Sequence, residues 1–235
     1  MAAVGPPPRI LHQTWKREAI PSCWAPFRHS WRTNHPDWEH RLWTDDDLRR
    51  LVQDCYSWFL PMYDAYPKHI MRVDAARYFL LHRHGGLYVD LDFESLRPID
   101  PLLSGCEVMF GCEPPAHVAL DAPRARGLER IVCNALMAST AEHPFWEHVF
   151  ELLIAFQRSP DPLDATGPFL LTRAVASYAE QERVTIVPWE LLYPTPIPEC
   201  VFGQRPSSEA AARERAFGIH HWAGSWWRHP PPVGE

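Results

Sequence analysis

The chain has 235 residues, enough to bury the core of one full domain and too few for a second independent one. Apolar types make up 46% and charged types 22%, a globular composition, while 25 prolines and 11 tryptophans point to many rigid loops. Subtracting 29 acidic from 23 basic residues leaves a net charge of -6 with no basic block to track a phosphate backbone, which argues against a nucleic-acid partner.

No run approaches the roughly 18 to 20 apolar residues of a membrane span, and Met1 to Arg9 lacks the apolar stretch of a signal peptide. The expectation is a cytoplasmic location, soluble or peripheral to a membrane, with a Golgi-like lumen as the alternative for a chain cut from a longer tethered parent. Cys23, Cys55, Cys106, Cys112, Cys133 and Cys200 show no short repeating spacing, so they read as reduced structural thiols rather than zinc ligands.

Residues 9–15 read as a strand leaving the core, and a helix opens near Pro21. Arg41-Leu42-Trp43 is a second strand. Thr44, with Asp47 three residues on, supplies a capping-box start to a helix running towards Tyr56. From Pro67 to His84, Ile70, Val73, Arg77 and Leu81 fall at helical spacing, and Gly85-Gly86 ends the helix. Leu87 to Phe93 is a short apolar strand with acids at its far end, so a helix feeds a strand in an α/β unit. Further strands are expected at 107–111 and 184–187, with helices from Pro144 to Phe156 and from Phe169 to Ala179. The prolines from Pro188 to about Ala210 describe a long connection before Ile219-His220-His221-Trp222 re-enters a buried region.

A D-x-D spacing alone says little, and Asp45-Asp46-Asp47 is a decoy whose charges suit a helix start. For Asp90 and Asp92, a strand period of two puts both carboxylates on one face beyond a buried strand. Two readings fit: hard oxygen ligands for Mg²⁺ or Mn²⁺ bridging to diphosphate oxygens, or a solvated strand end. Asp74 and Arg77 are neighbours on a helix face and interrupt an apolar stretch. They either close the helix against the sheet as an internal salt bridge or hold sugar hydroxyls and a diphosphate, with Arg72 as a second such cation or a solvent-facing residue.

Residues 10–15 (ILHQTW), 42–45 (LWTD), 72–78 (RVDAARY), 85–92 (GGLYVDLD), 166–168 (TGP) and 220–226 (HHWAGSW) together resemble the DXD-containing glycosyltransferases, over residues 9 to 227. That resemblance implies an α/β GT-A fold, with one Rossmann-like nucleotide-binding sheet and helices on both faces. It would comprise a flexible proline-rich segment at 1–8, a catalytic domain at 9–229 and a flexible tail at 230–235. It further implies a nucleotide-sugar donor, a glycan or glycolipid acceptor, a divalent metal (Mn²⁺, with Mg²⁺ as the alternative) and retention at the anomeric carbon.

By the same resemblance, Asp92 is a direct metal ligand, Asp90 lies beside the ribose and the metal's water shell, and His220, which beside Ile219 reads by itself as a hydrogen-bonded core histidine, returns to the metal. Asp74 and Arg77 take the donor sugar, with Arg72 and Tyr88 on the donor side. Leu11, His12, Gln13 and Trp15 line the base and ribose; Trp15 reads equally well as core packing. Ser225 and Trp226 close on the diphosphate. Thr166, Gly167, Pro168 and Trp222 fall on the acceptor side, where Gly167 permits close approach; a helix start explains the first three as well. Asn134 contacts the donor sugar near the reacting carbon, or simply caps a helix. The expected reaction is hexosyl transfer, GDP-mannose the first donor and UDP-galactose or UDP-glucose next. The competing readings are a non-catalytic carbohydrate-binding protein, whose tryptophans stack on sugars, and a metal-dependent phosphatase built on the acidic pair.

Overall fold

Strands β1 (Ile10–Thr14) and β2 (Glu39–Trp43) run parallel, from Ile10 opposite Glu39 to Thr14 opposite Trp43. A 3-10 turn (Ser22–Trp24) and helix α1 (Ala25–Asn34) connect them. This is a computed structural model and describes residues 5–197 and 213–224. Helix α2 (Asp45–Cys55) starts on the foreseen box: the Thr44 hydroxyl accepts from the Asp47 N–H at 3.2 Å, and the Asp47 carboxylate accepts from the Thr44 N–H at 3.0 Å.

After α3 (Leu60–Ala65), helix α4 (His69–His84) ends at Gly85, whose φ of +63° is followed by +92° at Gly86. Both lie in backbone space that side chains disfavour, and a Cβ on Gly86 would sit 2.4 Å from the Ile10 carbonyl oxygen. The glycine pair therefore lets β3 (Gly86–Val89) press against β1. The chain then departs from the expected single strand. β3 stops at Val89; Asp90-Leu91-Asp92 form a turn, with the Phe93 N–H donating to the Asp90 carbonyl at 3.2 Å, and β4 (Phe93–Ser95) belongs to another sheet.

The rest of the chain follows as α5 (Asp100–Leu103), β5 (Val108–Cys112), α6 (Pro115–Val118), α7 (Asp121–Ala125), β6 (Val132–Ser139), α8 (Phe145–Phe156), α9 (Pro162–Ala165), α10 (Pro168–Ser177), β7 (Val184–Val187), α11 (Trp189–Leu192) and β8 (Gly218–His220). The main sheet has the order β2-β1-β3-β6-β5-β7, with β6 antiparallel to both its neighbours. β4 and β8 form a separate antiparallel pair, Phe93 opposite His220. β6 carries no period-two signal because both its faces are buried and every residue in it is covered. Asn134 thus lies in a strand, and the helix-capping reading is wrong.

Helices cover both faces, in agreement with the expected α/β class. Tyr88, Val108, Phe110 and Met137 pack with α2, α4, α8 and α10 on one side, through Leu48, Phe79, Trp146 and Leu171. Leu11, Leu87, Val89, Met109 and Ala138 face Trp31, Leu103 and Leu192 on the other. No helix among the described residues is long and apolar enough to cross a membrane.

Candidate active site

A cavity of about 1230 Å³ opens where the parallel strands end, and is lined by Thr14 and Trp15 at the end of β1, Asp90 and Asp92 after β3, and Glu113 after β5. Carboxyl ends of strands in open α/β sheets are where such sites form, because the chain leaves the sheet there and frees side chains from packing.

The acids converge by a turn and a bulge rather than by strand alternation. Pairing of β5 with β6 jumps from Phe110 opposite Met137 to Gly111 opposite Cys133, leaving residues 134–136 unpaired on the β5 side, while Leu136 stays opposite Val89 of β3. Two carbonyls of this stretch reach the site. The Ala135 oxygen accepts the Asp90 N–H at 2.8 Å, and the Asn134 oxygen accepts from Arg77 Nη1 at 3.1 Å. Asn134 Nδ2 in turn donates to Asp74 Oδ1 at 3.1 Å.

Arg77 is the hub. Its Nη2 lies 3.1 Å from Asp74 and 3.4 Å from Asp90, and the guanidinium stacks 4.8 Å from the Tyr88 ring centre. Tyr88 itself is buried and donates its hydroxyl to Asp90 Oδ1 at 2.7 Å while Thr14 approaches at 3.0 Å, so it holds Asp90 from beneath and does not line the cavity.

Asp92 is fixed from the C-terminal side. Its Oδ1 lies 3.2 Å from His220 Nε2, its Oδ2 accepts from the Ala223 N–H at 2.9 Å, and its carbonyl accepts from the His221 N–H at 3.0 Å. One ligand atom each from Asp90, Asp92 and His220 fits within 4.8 Å of the others. His220 Nδ1 and Arg77 Nε are buried with no partner among the described residues.

Charge follows from this packing. Burial pushes the Asp74 carboxyl up to about 7, opposed by Arg77 and reinforced by Asp90. Burial also raises Asp90, with the like charge of Asp92 adding to it against Arg77. Asp92 would rise on burial too, but His220 and the Ala223 N–H hold it down at about 2. His220, disfavoured as a cation by burial, is nonetheless raised by Asp92.

Of the residues singled out in the sequence, Trp15, Asp74, Arg77, Asp90, Asp92, Asn134, Pro168, His220 and Trp222 line the cavity. Leu11, His12 and Gln13 do not. Leu11 is core, and Gln13 is 2% exposed. His12 is fully buried, donating from Nε2 to the Gly85 carbonyl at 3.0 Å and accepting the Trp43 indole N–H at Nδ1 at 3.0 Å. These three pack β1 into the sheet. Arg72 turns to the Tyr66 carbonyl at 2.8 Å, away from the cavity. Thr166 is buried, and a Cβ on Gly167 would meet Leu163 Cα at 2.9 Å, so that glycine serves the approach of α9 to α10 rather than of an acceptor. Ser225 and Trp226 lie outside the described residues. Sequence reasoning missed Glu113 and His117 in the cavity wall, because E-P-P-A-H reads as an ordinary loop.

Residues 21–108 match the family described as glycosyltransferase sugar-binding region containing DXD motif. The chain is 34% identical over 196 residues to inositol phosphoceramide mannosyltransferase 1 of Schizosaccharomyces pombe, taking in 79% of this chain and 57% of that protein. It is 39% identical over 149 residues to inositol phosphoceramide mannosyltransferase 3 of the same yeast, taking in 63% of this chain and 38% of that protein. The match thus spans less than two thirds of either relative. Among solved structures, the galactosyltransferase LgtC in complex with donor and acceptor sugar analogues superposes with a TM-score of 0.51 at 12% identity, over 94% of this chain and 90% of that one. That likeness concerns the fold, which is GT-A.

Proposed function

Because this chain belongs to the family of glycosyltransferase sugar-binding regions containing a DXD motif, we propose that it moves a hexose from a nucleoside-diphosphate sugar to a hydroxyl of a glycan or glycolipid. The mannosyl transfer for which its relatives are named makes GDP-mannose the first donor to test, then UDP-galactose and UDP-glucose. The observation that carries the reading is the convergence of Asp90, Asp92 and His220 in the same cavity as the Asp74–Arg77–Asn134 cluster.

Two carboxylates and an imidazole suit a divalent cation of the Mn²⁺ kind better than a purely oxygen-loving one. Bound there, the ion would neutralise charge on the departing nucleoside diphosphate. Arg77 holds Asp74 and Asp90 in register and keeps an unpartnered Nε–H for a donor oxygen. Asp74, near neutrality in pKa, accepts from or donates to donor-sugar hydroxyls and sets the sugar's orientation, with Asn134 beside it. Trp15 and Trp222 supply apolar walls that exclude water, which favours transfer over donor hydrolysis. The acceptor hydroxyl enters from the leaving-group side and a phosphate oxygen takes its proton, so the anomeric configuration is retained.

A panel of nucleotide sugars with and without Mn²⁺, read by thermal shift and donor hydrolysis, tests this. One donor that stabilises the protein and turns over only with metal is the expected result. Glycan binding indifferent to nucleotide and chelator, without turnover, would replace it with a carbohydrate-binding protein.

A further inference from the structure

Glu113, partly buried, and His117, buried, form an acid–imidazole pair in the cavity wall that the chemistry above does not use. His117 is fully buried, with Nδ1 2.7 Å from the Glu113 carboxylate. At its other edge, Nε2 lies 2.8 Å from the Ile197 N–H. A backbone N–H can only donate, so Nε2 accepts and the ring's proton sits on Nδ1, pointing at Glu113. Both edges of the ring are thereby pinned, one to the end of β5 and one to the segment after α11.

That segment is tied a second time. The Trp222 indole N–H donates to the Thr195 carbonyl at 2.7 Å, and its ring meets His117 edge-on at 4.8 Å. Trp222 has a φ of +50°, a left-handed conformation uncommon for a bulky residue, which persists only where the surroundings hold it. What it positions is the proposed cation site. Its ring lies 4.2 Å from that of His220, and its backbone turn delivers the Ala223 N–H to Asp92 Oδ2.

We propose that His117, oriented by Glu113, is a positioning residue for the cation site, acting through the 195–197 segment and Trp222 on His220 and Asp92. Neither Glu113 nor His117 belongs to the candidate ligand cluster, so the effect is on ligand orientation, the contribution that outer hydrogen bonds commonly make at metal sites. The inference rests on the function proposed above.

The test is Mn²⁺ titration of the ligand-free protein, followed by the electron paramagnetic resonance signal of free Mn²⁺, with folding verified by circular dichroism. Wild type is expected to bind Mn²⁺ and D92N to lose it; absence of that Asp92-dependent binding overturns the underlying reading instead. H117F keeps a ring against Trp222 and loses both hydrogen bonds, and should weaken binding about tenfold. H117Q, whose amide can donate to Glu113 and accept from Ile197, should stay within about threefold of wild type. A role confined to stability would lower the melting temperature of H117F and leave its Mn²⁺ affinity unchanged, which overturns the proposal. If H117F does not fold, W222F carries the same test: it keeps a ring near His220, loses the bond to Thr195 and shortens the ring's reach to His117. Weakened binding supports the proposal, and wild-type affinity overturns it.

Discussion

Asp92 is the residue on which the proposed chemistry depends most. Burial favours its neutral form, yet His220 and a backbone N–H keep it charged, which is the state a cation ligand needs. Asp92→Asn should leave the melting temperature within a few degrees and lower kcat roughly a hundred- to a thousandfold; unchanged turnover in saturating Mn²⁺ would remove the assigned role. His12 teaches the opposite lesson. By resemblance it was expected to line the donor's base and ribose, but its two nitrogens are spent on Gly85 and Trp43 and burial lowers its pKa from 6.5 to about 3. The folded state therefore resists a proton that the unfolded chain takes up once pH falls below 6.5. Stability should drop by up to about 1.4 kcal/mol per pH unit on this account, from pH 6.5 down towards 3. Urea unfolding between pH 7 and 4 should show a shallower decline for H12Q than for wild type; equal slopes would refute it.

At the scale of elements, the site is made by departures from regularity. Asp90 and Asp92 were legible as a pair, but the alternation argument for their convergence was wrong: a turn presents one carboxylate to Arg77 and Tyr88, and the other to β8. The β6 bulge, beside which Asn134 enters the site, has no local signature, since a fully buried strand shows neither alternation nor helical period. The capping box and the glycine pair were legible, because each is a local stereochemical requirement. Gly86→Ala should accordingly cost about 3 kcal/mol or more, since a positive φ and a 2.4 Å approach to Ile10 cannot both be relieved without separating β1 from β3. A denaturant midpoint equal to wild type would contradict that.

Across the whole molecule, a cavity of about 1230 Å³ joins residues from β1 to β8, so a donor bridging it should stabilise the fold as a unit. At a hundred times its Kd the donor would contribute about 2.7 kcal/mol. A chain of this size should then melt roughly 5–10 °C higher, a gain that chelator removes. A melting curve indifferent to every nucleotide sugar with Mn²⁺ would count against the site. The sequence by itself determined the α/β class, the family and the acids worth watching, because periodicity, caps and motif order are written in neighbouring residues. Only the tertiary structure decided which of those residues share a cavity: Asp92 meets His220 across 128 positions of chain, and His12, one residue from Leu11 in the same motif, is turned into the sheet. Long-range packing sets such distances, and no local pattern encodes which buried face a side chain will find.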